Sequence, residues 1–361
     1  MQLPREPSRR AVTAGLAGIV LAGCGVSSGR LHEPSFSPEP PEEPEPEPTE
    51  EPEPEPVIWP LTGIEYDGSE LPERTALAVK VENSVQSRPQ TGLEFADLVF
   101  EQQVEAGITR FNAMYHSVVP ETIGPIRSVR PMDAALAAPI AGVQVFSGAQ
   151  PPFTARVRDA GVQTMIFDAS DPGLARRGNR PAPHNVYADV ETLYAHANTT
   201  EGPAQDLFHF SEDRDSATAA EVGEEPINEI AMTFSGPTGS APGWRWDPEA
   251  EVRGIPGGAW QRLENGVEQL TTDSNPIRAT NVVVLRVEMA PSEADPHVPE
   301  TLLRGSGEGV VFTGNRVASL TWEKGGEDSA PLRLTREGDP ILLAPGITWI
   351  ELLPHSGVLS Y

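Results

Sequence analysis

The stretch from residue 101 to residue 131 holds the densest set of side chains able to do chemistry. Thr109 to His116 alternates, with Arg110, Asn112, Met114 and His116 on one side and Phe111, Ala113 and Tyr115 on the other. A period of two is a strand, and a charged face beside an apolar one suits a strand that lines a cleft. Glu105 stands in the turn before it, and Glu101 lies on the preceding strand. Gly124-Pro125-Ile126-Arg127-Ser128-Val129-Arg130-Pro131 comes shortly after. Two guanidinium forks ahead of a Pro-started helix, with free backbone N–H groups, make an anion-binding corner. A second cluster, Arg176-Arg177-Gly178-Asn179-Arg180-Pro181-Ala182-Pro183-His184-Asn185, reads as a loop, so core packing does not explain it. Closed over the first cluster, it adds His184 and Asn185. The candidate ligand-binding residues are therefore Arg110, His116, Arg127, Arg130, His184 and Asn185, with Glu101 and Glu105. A plainer reading stands beside this one: the arginines pair with Glu101, Glu105 and Asp133 as structural salt bridges.

Other chemistries lack their residues. There is no GxSxG, P-loop, HExxH or His-x-His pattern, and the seven histidines are scattered. No metal and no cofactor is expected. The single cysteine, Cys24, is accounted for near the N-terminus, which leaves no thiol nucleophile for the body. A binding module and an enzyme with Glu101, Glu105 or His116 as base both remain open.

The elements that position these residues form an α/β part and a β-rich part. Ala76–Val81 reads as a buried strand, and 97–104 and 109–118 as a hairpin. The run 131–138 starts a helix with Pro131, and 143–146, 152–160 and 163–168 read as strand, helix, strand. Short loops between them imply a parallel βαβ unit. Residues 189–197 predict another helix. Beyond about residue 225, short runs separated by Gly, Pro, Asn and Asp predict strands at 230–234, 243–247, 259–263, 281–288, 309–312, 316–322, 331–335 and 348–352. Five of the six tryptophans lie there and are expected in the core. The predicted fold is an α/β N-terminal domain over 58–205, a mixed sheet with its βαβ unit, followed by a β-rich C-terminal domain over 225–361. The two are expected to separate near 200–225.

The formal net charge is −27. So acidic a chain repels nucleic acid and anionic lipid, which excludes a general nucleic-acid partner. Residues 1–23 read as a lipoprotein signal peptide. Arg5, Arg9 and Arg10 precede an apolar run from Ala11 to Gly23, about 20 Å as a helix and too short for a hydrocarbon core of about 30 Å. The run ends in Leu21-Ala22-Gly23-Cys24, similar to a bacterial lipobox, whose cysteine is acylated and becomes the first mature residue. The membrane, through lipid on Cys24, is the expected partner. The expected location is the extracytoplasmic face of the cell membrane, with Sec and twin-arginine export both open. An anionic envelope ligand or an envelope protein would be the second partner. Residues 24–57 form a disordered Glu/Pro-rich linker: 31–60 hold ten Glu and eleven Pro and no Lys or Arg. Proline and like charge both keep such a chain extended.

Several runs resemble the YerB-like family of bacterial lipoproteins. They are Ile108-Thr109-Arg110-Phe111, His116-Ser117, Pro120 to Pro131, and Ala182-Pro183-His184-Asn185-Val186-Tyr187. Asn281-Val282-Val283-Val284 and Pro340 to Ile350 look like that family's second part. The resemblance covers about 60–360 and implies two named parts of unknown function, with no active site to carry over. A looser likeness, Ala96-Asp97-Leu98-Val99 followed by a strand and an Arg-bearing loop, is similar in pattern to the LytR-CpsA-Psr phosphotransferases. It implies arginines that hold a pyrophosphate, as an analogy only.

Overall fold

Twelve strands drawn from both halves of the chain make one sheet in the computed structural model, which describes residues 56–234 and 239–361. The signal segment, Cys24 and nearly all of the Glu-Pro linker lie outside the described residues. The main path runs Asp339–Pro340, Leu332–Arg336, Arg316–Lys324, Gly305–Thr313, Asn281–Pro291, Thr348–Pro354, Leu98–Gln103, Thr109–Tyr115, Leu77–Glu82, Val143–Phe146, Gln163–Ile166. Thr348–Pro354 lies in the middle, parallel to Asn281–Pro291 on one side and to Leu98–Gln103 on the other. The strands from Asn281–Pro291 to Gln163–Ile166 all point one way except Thr109–Tyr115, which runs back between two of them. Strands covered on both faces are buried along their whole length, as Leu77–Glu82 and Thr348–Pro354 are, and Lys80, Glu82 and Glu351 are the charged residues in them.

One face packs on a six-stranded sheet formed by Glu229–Thr233, Pro242–Asp247, Ala259–Glu264, Val267–Glu268, Arg278–Ala279 and Val358–Ser360. Phe111, Trp244, Trp260, Phe312 and Trp349 fill that layer, the rings meeting edge to face. A buried ring of this size removes roughly 150–250 Å² from water, on the order of 4–6 kcal/mol each. The other face carries Phe100, Met114, Leu285, Ile350 and Leu352 in a second core cluster, with residues of the helices Asp133–Ala137, Pro151–Asp159 and Thr218–Val222.

Every predicted strand and helix has its counterpart, and the βαβ unit is Val143–Phe146, Pro151–Asp159 and Gln163–Ile166, with the strands parallel. Of the five tryptophans expected in the core, Trp244, Trp260, Trp322 and Trp349 are buried, and Trp246 is half-buried against Trp260. The two expected parts share the large sheet and both of its cores. Local pattern identifies a strand, but its neighbours are set by contacts distant in sequence. Among the described residues, no helix is long and apolar enough to cross a membrane.

Candidate functional site

Gly124 to Arg130 enters the large sheet as a wedge. Arg127 N–H donates to Lys80 O, Glu82 N–H to Pro125 O, and Ser147 N–H to Arg127 O. The segment therefore takes the place between Leu77–Glu82 and Val143–Phe146 once those strands part at their C-terminal ends. At this point the chain leaves one side of Leu77–Glu82 and crosses to the other. Open α/β sheets bind ligands at such a switch, outside the carboxyl ends of the strands. Ile126 N–H also donates to Val186 O, which draws in the polar loop between Leu174–Arg176 and Val186–Asp189.

Glu82, the last residue of its strand, is the centre of the cluster and is buried. Its Oε1 lies 2.8 Å from His184 Nδ1, 2.8 Å from Ser84 Oγ and 3.4 Å from Arg127 Nε. Arg110 stands directly opposite Glu82 in the strand register. It is 4% exposed, and its Nη1 donates to Ser128 O at 2.8 Å. Burial, with Arg130 and Arg127 nearby, pulls its guanidinium down to about 9. Arg130 is gripped by both oxygens of Glu105, at 2.7 and 2.8 Å, and this pairing helps to hold the Glu105 carboxyl below its usual range against partial burial. Three arginines thus meet two carboxylates. Glu82 Oε2 and Arg110 Nε are buried without a hydrogen-bond partner among the described residues. The Nη atoms of Arg127 and Nε2 of His184 also have no partner there, on side chains 21% and 19% exposed.

The structure brings Arg110, Arg127, Arg130, His184 and Glu105 to this one edge. Asn185 supports it from the loop: its amide donates to Arg180 O, and its oxygen accepts from Arg176 Nη1. Two expected members are elsewhere. His116 lies at the far end of the strand that begins beside Arg110, packed edge to face on Trp59, with Nε2 3.2 Å from Arg74 O. Burial lowers its pKa despite Asp97 close by. Glu101 is opposite Phe111, not Arg110, so it projects from the other face of the sheet. The anion corner at residue 131 is also filled from within. Arg130 N–H donates to Asp133 Oδ2 at 2.6 Å, and Asp133 Oδ1 accepts from Lys80, Gln102 and Asn112 at 2.7–3.1 Å. The polar side of the Thr109–Tyr115 strand is therefore a covered seam and not a cleft wall. Burial there brings Lys80 down to about 8, against the pull of Asp133.

Glu82 was not among the expected site residues, because it ends a run that reads as a buried strand. The second unforeseen group surrounds Arg262, which is fully buried in the six-stranded sheet. It lies 2.6 Å from Glu101, 3.1 Å from Glu351 and 3.4 Å from Glu264. Its guanidinium faces the rings of Phe111, Trp244 and Trp349 at 4.8–5.4 Å. Trp260, Arg262 and Glu264 alternate along their strand, and that spacing was the available signal.

Comparison with known proteins agrees with this architecture. Residues 61–203 match the N-terminal domain of a protein family of unknown function, DUF3048, and residues 230–350 match its C-terminal domain. The chain is 25% identical over 309 residues to "Putative lipoprotein YerB" of Bacillus subtilis (strain 168), covering 83% of this chain and 87% of that protein. The crystal structure of YerB protein from Bacillus subtilis superposes with a TM-score of 0.69 at 22% identity, over 84% of this chain and all of that one. The likeness at that identity is one of fold. The two domain matches together take in well over half of the sequence, and the chain belongs to the DUF3048 family.

Proposed function

We propose that this protein is a lipid-anchored envelope lipoprotein that binds a small anionic group at the edge where Arg110, Arg127, Arg130 and His184 meet. In this reading residues 1–23 direct export, Cys24 carries the lipid, and the Glu-Pro linker holds the folded body off the membrane on its extracytoplasmic face. The name of the Bacillus subtilis relative supports the anchor. The observation that carries the binding reading is the charge balance at the edge. Three guanidinium groups meet two carboxylates, Glu82 and Glu105, with backbone carbonyls taking one Nη each from Arg110 and Arg130, and the Arg127 Nη atoms and His184 Nε2 have no partner among the described residues. In a chain of net charge −27 an anion is attracted to few places, and this is one.

The test is thermal unfolding of the whole chain in detergent with phosphate, pyrophosphate or short carboxylates. A ligand at a hundred times its Kd should add about 2.7 kcal/mol to stability. Arg127→Ala should remove that gain, a loss on the order of 2–5 kcal/mol of affinity for a desolvated charge pair, while the fold persists. If none of these anions raises the melting temperature, the binding reading is wrong. If they do so equally in Arg127→Ala, the site lies elsewhere.

A further inference from the structure

We infer that the edge site is also catalytic, with His184 as the proton acceptor in hydrolysis of a phosphodiester; this rests on the anion-binding reading above. A carboxylate can only accept, so the 2.8 Å contact to Glu82 places the proton of a neutral ring on His184 Nδ1. The lone pair of Nε2 is then free and directed away from Glu82. Glu82 is itself buried, accepts a hydrogen bond from Ser84 Oγ and is ion-paired with Arg127 at 3.4 Å. A buried carboxylate that orients an imidazole, whose other nitrogen is open, is the arrangement of a general base. The charge that forms on a substrate needs a stabiliser, and Arg127, 21% exposed beside the same carboxylate, is placed to supply it.

Charge selects the substrate class. Arg110, Arg127 and Arg130 against Glu82 and Glu105 leave one positive charge, which matches the single negative charge of a phosphodiester better than the two of a monoester. In the step, a water oxygen forms a bond to phosphorus while Nε2 takes one of the water protons. The bond from phosphorus to one ester oxygen breaks, its electron pair stays on that oxygen, and the oxygen takes a proton from the imidazolium or from solvent. Diester and water become monoester and alcohol, with water as the only co-reactant. His184 would be the catalytic residue and Glu82 a positioning residue.

The experiment uses the whole chain in detergent with bis(p-nitrophenyl) phosphate, following nitrophenolate release, and phosphate-induced thermal stabilisation in parallel. The expected result is measurable release that falls at least about 100-fold in His184→Gln and His184→Asn. Asn places its amide where Nδ1 stands and so keeps the contact to Glu82, which guards against simple misfolding. Glu82→Gln should lower kcat with KM nearly unchanged. Phosphate should still stabilise both His184 variants through Arg127, though less than the wild type, because His184 is one of the groups that meet it. Release that is absent, or equal in the folded His184 variants, overturns the catalytic proposal. If phosphate still stabilises the wild type in that case, the binding reading survives; if it does not, both fail together.

Discussion

Arg262 carries one positive charge into a space that holds Glu101, Glu351 and Glu264. Glu101 and Glu351 are register neighbours on adjacent parallel strands, and both are fully buried beside Arg262. Burial is the main cause that raises the Glu101 pKa well above 4.5; Arg262 opposes it and Glu351 adds to it. The folded state thus holds this proton more tightly than the unfolded chain does. The resulting stabilisation is full below the unfolded value of 4.5 and fades as pH rises through the folded one. Glu101→Gln, permanently neutral, should flatten the fall of melting temperature with rising pH above pH 5. An unchanged slope would show that Glu101 is not the group responsible. Arg262→Ala leaves buried carboxyls without their cation and should cost about 3–5 kcal/mol by denaturant unfolding.

Among the elements, Leu77–Glu82 and Thr348–Pro354 were readable as strands because their side chains are mostly apolar and turn-forming residues bound them. Their places in the sheet were not, since nothing in Thr348–Pro354 names Leu98–Gln103, some 250 residues earlier, as its neighbour. The same limit shaped the site. Arg127, Arg130 and His184 could be grouped because loops and arginines mark themselves, but Glu101 and His116 could be placed only with a register. His116 is six residues beyond Arg110, about 20 Å along a strand, which no single small ligand bridges. Residues 56–225 alone would leave Leu98–Gln103 with a bare edge where Thr348–Pro354 belongs. That fragment should be insoluble or unfold without cooperativity, and the whole folded body should melt in one calorimetric transition. A soluble, cooperatively folding fragment would overturn the view of a shared core.

At the scale of the molecule, a net charge of −27 repels anionic lipid, so the charge of the chain does not itself draw it to a membrane. Lipid on Cys24 provides the attachment in the proposed reading, because two or more acyl chains anchor stably where one does not. Cys24→Ala should move the protein to the soluble fraction or leave uncleaved precursor, seen by fractionation and intact mass; a variant that stays membrane-bound at mature mass would refute the anchor. The central position of Thr348–Pro354 also bears on the order of events in synthesis. A chain that emerges N-terminus first displays Leu98–Gln103 early, yet its partner strand arrives some 250 residues later. At about 5–20 residues per second that is a wait of roughly 12–50 seconds with an open apolar edge. Until residue 354 is out, the nascent protein has no complete sheet.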